Sequence, residues 1–399
     1  MTMGPHRSGR VRGAAAAGAA ALLVVGMTGC GGGSASSGKG ASGGGLPGSI
    51  KVMSIKEMTG PVAFAGTNAT KGVDLAVEQI NAQKYLGTST LQVEVKDSAA
   101  SAQQAASLAS QAVADRSYAA LLGPASSAQA TAVSPIAQKA KMPVIYTQAG
   151  SDGVLIGDYT FRITAPTSSY YDLAGRYLKS KNVRTAAVLY NSGNPTLVQL
   201  GQKTVPGLAG KYGFTVKTIE GVQVTAQDFT APASKIAAAK PDAVFVLLTG
   251  PQDPVAITQL RQDGFKGQIV GTTSMGAGNL KTAGQIAKGT VWPSDFSALQ
   301  SGAGTTSFVD AYKAKYGGVE PNNYAAEAYD AAWFLARGIK QAASNKRSDV
   351  QRGLAGVTKT GFEGTEGQLS FEGNDVRVKG ILAGWDGSKE TLLTTPPAS

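Results

Sequence analysis

Histidine and cysteine occur once each in this 399-residue chain, as His6 and Cys30. Everything after Cys30 therefore lacks both an imidazole and a thiol. A Ser-His-Asp or Cys-His nucleophile needs an imidazole base, and structural zinc sites are nearly always built from Cys and His. Those chemistries are excluded. Two strings imitate catalytic motifs, GASGG at 40–44 for G-x-S-x-G and SSGK at 36–39 for S-x-x-K. Both fall in a Gly/Ser run with no strand–turn–helix context to hold a nucleophile, and they read as accidents of composition. No tight acidic cluster suggests a carboxylate-pair hydrolase. The Lys and Arg residues are scattered, so no basic stripe with interleaved aromatics marks a nucleic-acid binder. Long apolar runs are missing as well, since Ala14–Met27 is too short to span a bilayer stably. The expectation is a protein that is not an enzyme, takes no cofactor or metal and binds no nucleic acid.

What is present begins with a basic start, His6, Arg7, Arg10 and Arg12, followed by the apolar stretch 14–27. That order is the pattern of a secretory signal. Thr28 and Gly29 directly before Cys30 resemble the bacterial lipoprotein cleavage box, with Met27 where leucine most often stands. The resemblance implies that residues 1–29 are removed and that Cys30 is acylated, which would tether the chain to the outer face of the cell membrane. Two acyl chains suffice for stable anchoring. Residues 30–48, rich in Gly and Ser, can bury little surface and read as a flexible tether. Loss of residues 1–29 takes away three arginines and no acid, lowering the formal charge from +11 to +8.

From Ser49 onward, strand-like runs alternate with helical patterns. IKVMSI at 50–55 is followed by a helix over 69–82, with Val73, Ala76, Val77 and Ile80 at helical spacing. Strands are expected at 91–95, 119–122, 143–146 and 161–164, with helices over 101–115 and 127–140 between them. A second run follows, with strands at 185–190, 214–219, 243–248 and 268–271 and helices over 168–181, 197–212, 228–239 and 252–263. Such alternation predicts parallel sheets covered on both faces. Roughly 350 folded residues exceed what one core usually supports, so two lobes are expected.

In open α/β sheets, ligands bind beyond the carboxyl ends of the strands. The loops there, 57–66, 123–131 and 147–153, are polar and almost uncharged. Ser126 and Ser127 fall where a helix begins, so hydroxyls and helix N–H groups would point into a cleft together. One reading is a carboxylate cradle made by Ser127, the Ala149 backbone and Ser151. The other is that these residues build ordinary caps and turns.

The opening MTGPVAFAGTNATKGVDLAVEQIN at 58–81 resembles solute-binding proteins of the branched-chain amino acid (Leu/Ile/Val-binding) type. LLGPASSAQATAVSPIA at 121–137, PVIYTQAGS at 143–151, DFTAPASKI at 228–236, LRQDGFKGQIVGT at 260–272 and YAAEAYDAAWFLARGI at 324–339 follow in that family's order. The resemblance implies an α/β fold of the type I periplasmic binding protein class, with two Rossmann-like lobes, three hinge crossovers and a ligand cleft between the lobes. It places the crossovers near 164–167, 291–294 and 370–374. One lobe would comprise 49–165 plus about 293–371, the other 166–292 plus about 372–395. The implied function is to hand a small solute to the permease of an ABC importer, as a monomer. A lipid tether suits a Gram-positive surface. A sensor passing its closed state to a signalling receptor is the alternative.

In that family the ligand carboxylate is held at positions matching Ser127, Ala149 and Ser151. The ligand ammonium is held by a tyrosine and an acid from the second lobe. Here Pro195 stands where the aromatic would fall and Thr273 where the acid would fall. Burying an ammonium without a counter-charge costs several kcal/mol. The expected solute is therefore a carboxylate- or amide-bearing molecule without a free amine, unless Glu57, Asp152, Asp253 or Glu327 supplies the charge. Phe64, Tyr190, Asn194, Thr249 and Tyr324 are expected as wall residues, with core packing as their other reading.

Overall fold

The computed structural model describes residues 45–394. The signal segment, Cys30 and most of the tether lie outside the described residues. The first five strands are β1 (Ser49–Lys56), β2 (Thr90–Asp97), β3 (Tyr118–Leu122), β4 (Val144–Tyr146) and β5 (Thr160–Arg162). The next five are β6 (Thr185–Asn191), β7 (Thr215–Val222), β8 (Ala243–Leu247), β9 (Gln268–Val270) and β10 (Val291–Ser294). Then come β11 (Phe362–Gly364), β12 (Gly367–Glu372), β13 (Asp375–Arg377), β14 (Ile381–Trp385) and β15 (Glu390–Leu393).

They form two sheets, one ordered β11-β12-β13-β5-β4-β3-β1-β2 and the other β15-β14-β10-β9-β8-β6-β7. The runs β2-β1-β3-β4-β5 and β7-β6-β8-β9-β10 are parallel throughout. Each sheet therefore has a parallel body, and each carries an antiparallel edge, β11–β12–β13 on the first and β14–β15 beside β10 on the second. Those edges were not anticipated from the sequence.

Side-chain alternation explains why both sheets are covered twice. In β1, Ile50 and Val52 pack into one core and Met53 and Ile55 into another on the opposite face. In β8, Val244 and Val246 face one way and Ala243, Phe245 and Leu247 the other. The helix Ala63–Ala82 starts six residues before its expected position and lies flush against neighbouring backbone. A Cβ at Gly66 would stand 2.2 Å from the Glu57 carbonyl, and one at Gly72 2.0 Å from that of Ala325. The helical stretch Pro195–Tyr212 widens over Leu200–Thr204. Pro206 supplies no N–H to close an ordinary turn there.

Three passages connect the lobes. Tyr170 and Tyr171, adjacent in sequence, pack into the cores of different lobes just after the first passage. β10 still belongs to the second sheet, so the second passage starts at Asp295 rather than within 291–294. The third runs through Val378–Gly380, beyond the expected 370–374, because the hairpin β12–β13 adds to the first sheet beside β5. Arg162 of β5 clamps Asp375 of β13 through two hydrogen bonds of 2.7 and 2.8 Å. Among the described residues no helix is long and apolar enough to cross a membrane.

Candidate functional site

Each strand of the two parallel bodies except β2 ends at the same cavity. From the first lobe come Glu57 after β1, Ser126 after β3, Gln148 after β4 and Thr164 after β5. From the second come Asn194 after β6, Val224 after β7, Thr249 after β8, Thr273 after β9 and Asp295 after β10. The helix Asn323–Ala342, capped by the Asn322 side chain on the Ala325 N–H at 3.1 Å, adds Asn323, Tyr324 and Glu327. The space open to water-sized groups is about 120 Å³.

At one end lies the head of the helix Ser127–Lys139. Its N-cap, Ser126, makes no side-chain capping bond. The Glu57 carboxylate takes that part instead, accepting from the N–H groups of Ala125 at 3.2 Å and Ser126 at 2.9 Å. A buried negative charge at this position is favoured by the helix dipole. Burial still pushes the Glu57 carboxyl above its ordinary value, against the pull of these hydrogen bonds and of Lys56. Lys56 is itself fully buried, donating to the Thr147 hydroxyl at 3.3 Å. Burial lowers its ammonium to about 8, opposed by Glu57 and Glu327.

At the other end the carboxylates of Asp295, Glu327 and Glu366 place oxygens within 4.8 Å of one another. Glu327 accepts from the Gln148 N–H at 3.1 Å, the Gln148 amide at 3.0 Å, the Asn323 amide at 3.0 Å and the Thr164 hydroxyl. Asp295 lies on the second passage, so this corner sits where the lobes join. Burial, and then repulsion from Asp295, lift Glu327 well above the ordinary carboxyl range. Burial raises Asp295 to about 6. Three carboxylates so placed either share protons or share a cation, whether an oxygen-seeking metal ion or an ammonium.

Several acceptors at this end have no hydrogen-bond partner among the described residues, Asp295 Oδ2, Asn323 Oδ1 and Gln148 Oε1 included. Deeper in the second lobe, Asp253 accepts from the Ser274 hydroxyl at 2.6 Å and is raised by burial to about 7.

Of the residues singled out in sequence, Ser126, Asn194, Thr249, Thr273 and Tyr324 meet around the cavity. Ser127, Ala149 and Ser151 do not line it. The Ser127 hydroxyl accepts from the Ser151 N–H at 3.2 Å and bonds to Thr196 of the opposite lobe at 3.1 Å. The carbonyls of Ala149 and Ser151 accept from Arg162 at 2.9 and 2.8 Å, which turns this loop toward the lobe interior. Phe64 sits at the mouth, its ring edge-on to Tyr324 at 5.8 Å and close to Gly250 across the cleft. Tyr190 is buried in the second lobe with its hydroxyl on Gln202. Pro195 is the first residue of its helix, behind the Asn194 cap. Glu57 and Glu327, named as sources of charge, both reach the cavity, whereas Asp253 and Asp152 are absent from its lining. Asp295, Gln148, Thr164 and Asn323 were missed. Asp295 alone carried a signal, an acid directly after a strand end.

The family described as periplasmic binding protein matches residues 49–380. The leucine-, isoleucine-, valine-, threonine- and alanine-binding protein of Pseudomonas aeruginosa is 26% identical over 348 residues, covering 85% of this chain and 88% of its own. Among solved structures, the branched-chain amino acid transporter substrate binding protein LivJ of Streptococcus pneumoniae, in complex with isoleucine, superposes with a TM-score of 0.78. It is 26% identical, with 86% of this chain and 99% of that chain covered. A solute binding protein of an ABC transporter from R. palustris, in complex with benzoate, also reaches 0.78 at 19% identity, covering 86% and 95%. At that identity the likeness is one of fold.

Proposed function

Because the chain belongs to the periplasmic binding protein family, we propose that it is the extracytoplasmic solute-binding component of an ABC importer, tethered through lipid on Cys30. It captures one small organic solute between its lobes and presents it, chemically unchanged, to a membrane permease. The observation that carries this reading is the cavity lined from both lobes, by Ser126, Tyr324 and Glu327 on one side and Asn194, Thr249 and Thr273 on the other. A solute that touches both lobes binds the closed form better than the open one, and that difference is what drives closure. At about 120 Å³ the cavity is on the scale of a small organic molecule, a little below the roughly 150 Å³ of a cavity that holds benzene. The matched relatives named for leucine, isoleucine and valine take solutes of this size.

The test is a calorimetric screen of amino acids, short-chain and aromatic acids, amines and amides, followed by X-ray scattering with and without any binder. The expected result is one class binding at micromolar concentration with a smaller radius of gyration when bound. No binder in any class and no solute-dependent compaction would overturn the proposal. For the anchor, Cys30→Ala should move the chain from the membrane fraction to the medium and abolish palmitate labelling.

A further inference from the structure

The two ends of the cavity carry separate messages about the solute, and both count against a carboxylate. From them we infer that the solute is a small organic cation, an amine or amidine with several N–H donors and no free carboxylate. This deepens the binding-protein reading and rests on it.

The first message comes from the helix head. A helix N-terminus attracts an anion through its unpaired N–H groups. Here the N–H groups of Ala125 and Ser126 are already engaged by Glu57, from the same chain. A solute carboxylate brought to this place would face the Glu57 charge instead of free donors. The Ser127 hydroxyl expected to hold a carboxylate is committed instead to Thr196 and Ser151.

The second message comes from the hinge end. Asp295 is 1% exposed and Asn323 7% exposed, yet among the described residues Asn323 Oδ1 and Gln148 Oε1 have no partner, and neither does Asp295 Oδ2, whose carboxyl otherwise meets Glu327. Buried acceptors are nearly always satisfied in a working structure. Turning the two amides over would not help, because their NH₂ groups already donate to Glu327. Beyond the proton that Asp295 and Glu327 can share, donors are lacking, and an ammonium brings three or an amidinium four. Charge points the same way. Lys56 acts on Glu57 and Glu327, whereas among the described residues no cation is prominent beside Asp295 or Glu366. A cation entering this corner meets carboxylates and unpaired carbonyl oxygens together. The rest of the solute would lie against Val62, Leu197, Val224 and Leu248, which suits a short alkyl or small aromatic body. The expectation of a solute without an amine is thereby inverted, and the group left out is the acid.

Matched skeletons test this directly. The purified chain is titrated calorimetrically, and followed by thermal shift, with 3-methylbutylamine, 3-methylbutanoate and leucine. The same three head groups are tried on two- to six-carbon and benzyl bodies, together with acetamidine, benzamidine, Ca²⁺ and Mg²⁺. The expected result is that an amine or amidine binds at least tenfold tighter than the acid and the amino acid of the same body. Asp295→Asn should weaken that binding at least tenfold, whereas Asp158→Asn, an exposed acid outside the cavity, should leave it unchanged.

Tighter binding of an acid or amino acid would overturn the inference while leaving the binding-protein reading intact. So would a shift produced by the metal ions alone, or a failure of every amine and amidine alongside a binder of another class. If nothing binds and nothing closes the lobes, both readings fall together.

Discussion

The lobes touch across the rim of the cleft through a reciprocal pair, and its removal is the sharpest test of the closure argument. Gln199, on the helix that begins at Pro195, donates to the Asp152 carboxylate at 2.8 Å and accepts from the Asp152 N–H at 2.9 Å. Asp152 belongs to the first lobe and Gln199 to the second, so both bonds exist only while the lobes are together. Both are exposed, so each is worth the modest end of the usual range, about 1 kcal/mol net. Gln199→Ala removes the two at once and keeps a good helix former in place. The loss of about 2 kcal/mol shifts the ratio of closed to open forms about 30-fold toward open. Affinity for a solute that needs the closed form falls by up to the same factor, because the competent fraction scales the apparent dissociation constant. Small-angle scattering of the solute-free chain should show a larger radius of gyration in the variant, and calorimetry a weaker solute. Identical scattering together with unchanged affinity would refute the claim that these contacts bias closure.

Other perturbations follow from the same geometry. Burial holds the Asp330 carboxyl, which accepts from the Thr365 N–H and hydroxyl, at about 7. Its folded value exceeds its unfolded one, so its stabilisation is complete below about pH 4 and is lost as pH rises through 7. Asp330→Asn keeps an acceptor but cannot ionise, so the melting temperature should fall less between pH 5 and 8 than in the wild type, by an amount corresponding to at most about 3 kcal/mol; parallel curves would contradict this. Gly72→Ala drives a Cβ into the Ala325 carbonyl at 2.0 Å and should cost about 1–3 kcal/mol or more in urea unfolding. Arg162→Leu leaves Asp375 with its Arg377 ion pair alone and frees the Ala149 and Ser151 carbonyls, with an expected loss of about 1–3 kcal/mol and faster amide exchange over 148–152.

The sequence was most legible where packing is periodic. β1, β6 and β8 alternate cleanly between two cores, so their positions follow from composition and spacing alone. The strands β11–β13 escaped notice because they are short, partly exposed edge strands without such alternation. Strand-end loops also pointed to Ser126, Asn194, Thr249, Thr273 and Tyr324, since the topology of a parallel sheet dictates where loops converge. The acidic corner was not legible, because Asp295, Glu327 and Glu366 are spread over seventy residues of chain and meet only through the passages between lobes. Nor does any local pattern reveal that Glu57 reaches the N–H groups of Ala125 and Ser126, since that contact depends on how β1 and β3 end side by side.

The separation between what packing dictates and what the cavity does has a physical basis. The two sheets bury their side chains in four large cores that do not depend on the identity of a loop residue, so loops can change charge without cost to the fold. One such residue, Glu57, turns the helix head from an anion seat into a filled one. The corner that then seeks a partner lies on the connecting segments themselves, at Thr164 and Asp295. A donor-rich head group bonded there would tie Gln148, Asn323 and Glu327 of the first lobe to the strand that leads out of the second. Recognition and the drive to close would then act through the same few oxygens. Asp295→Asn should for that reason reduce both the affinity for an amine and the compaction that the amine produces, where loss of a mere wall contact would reduce only the first.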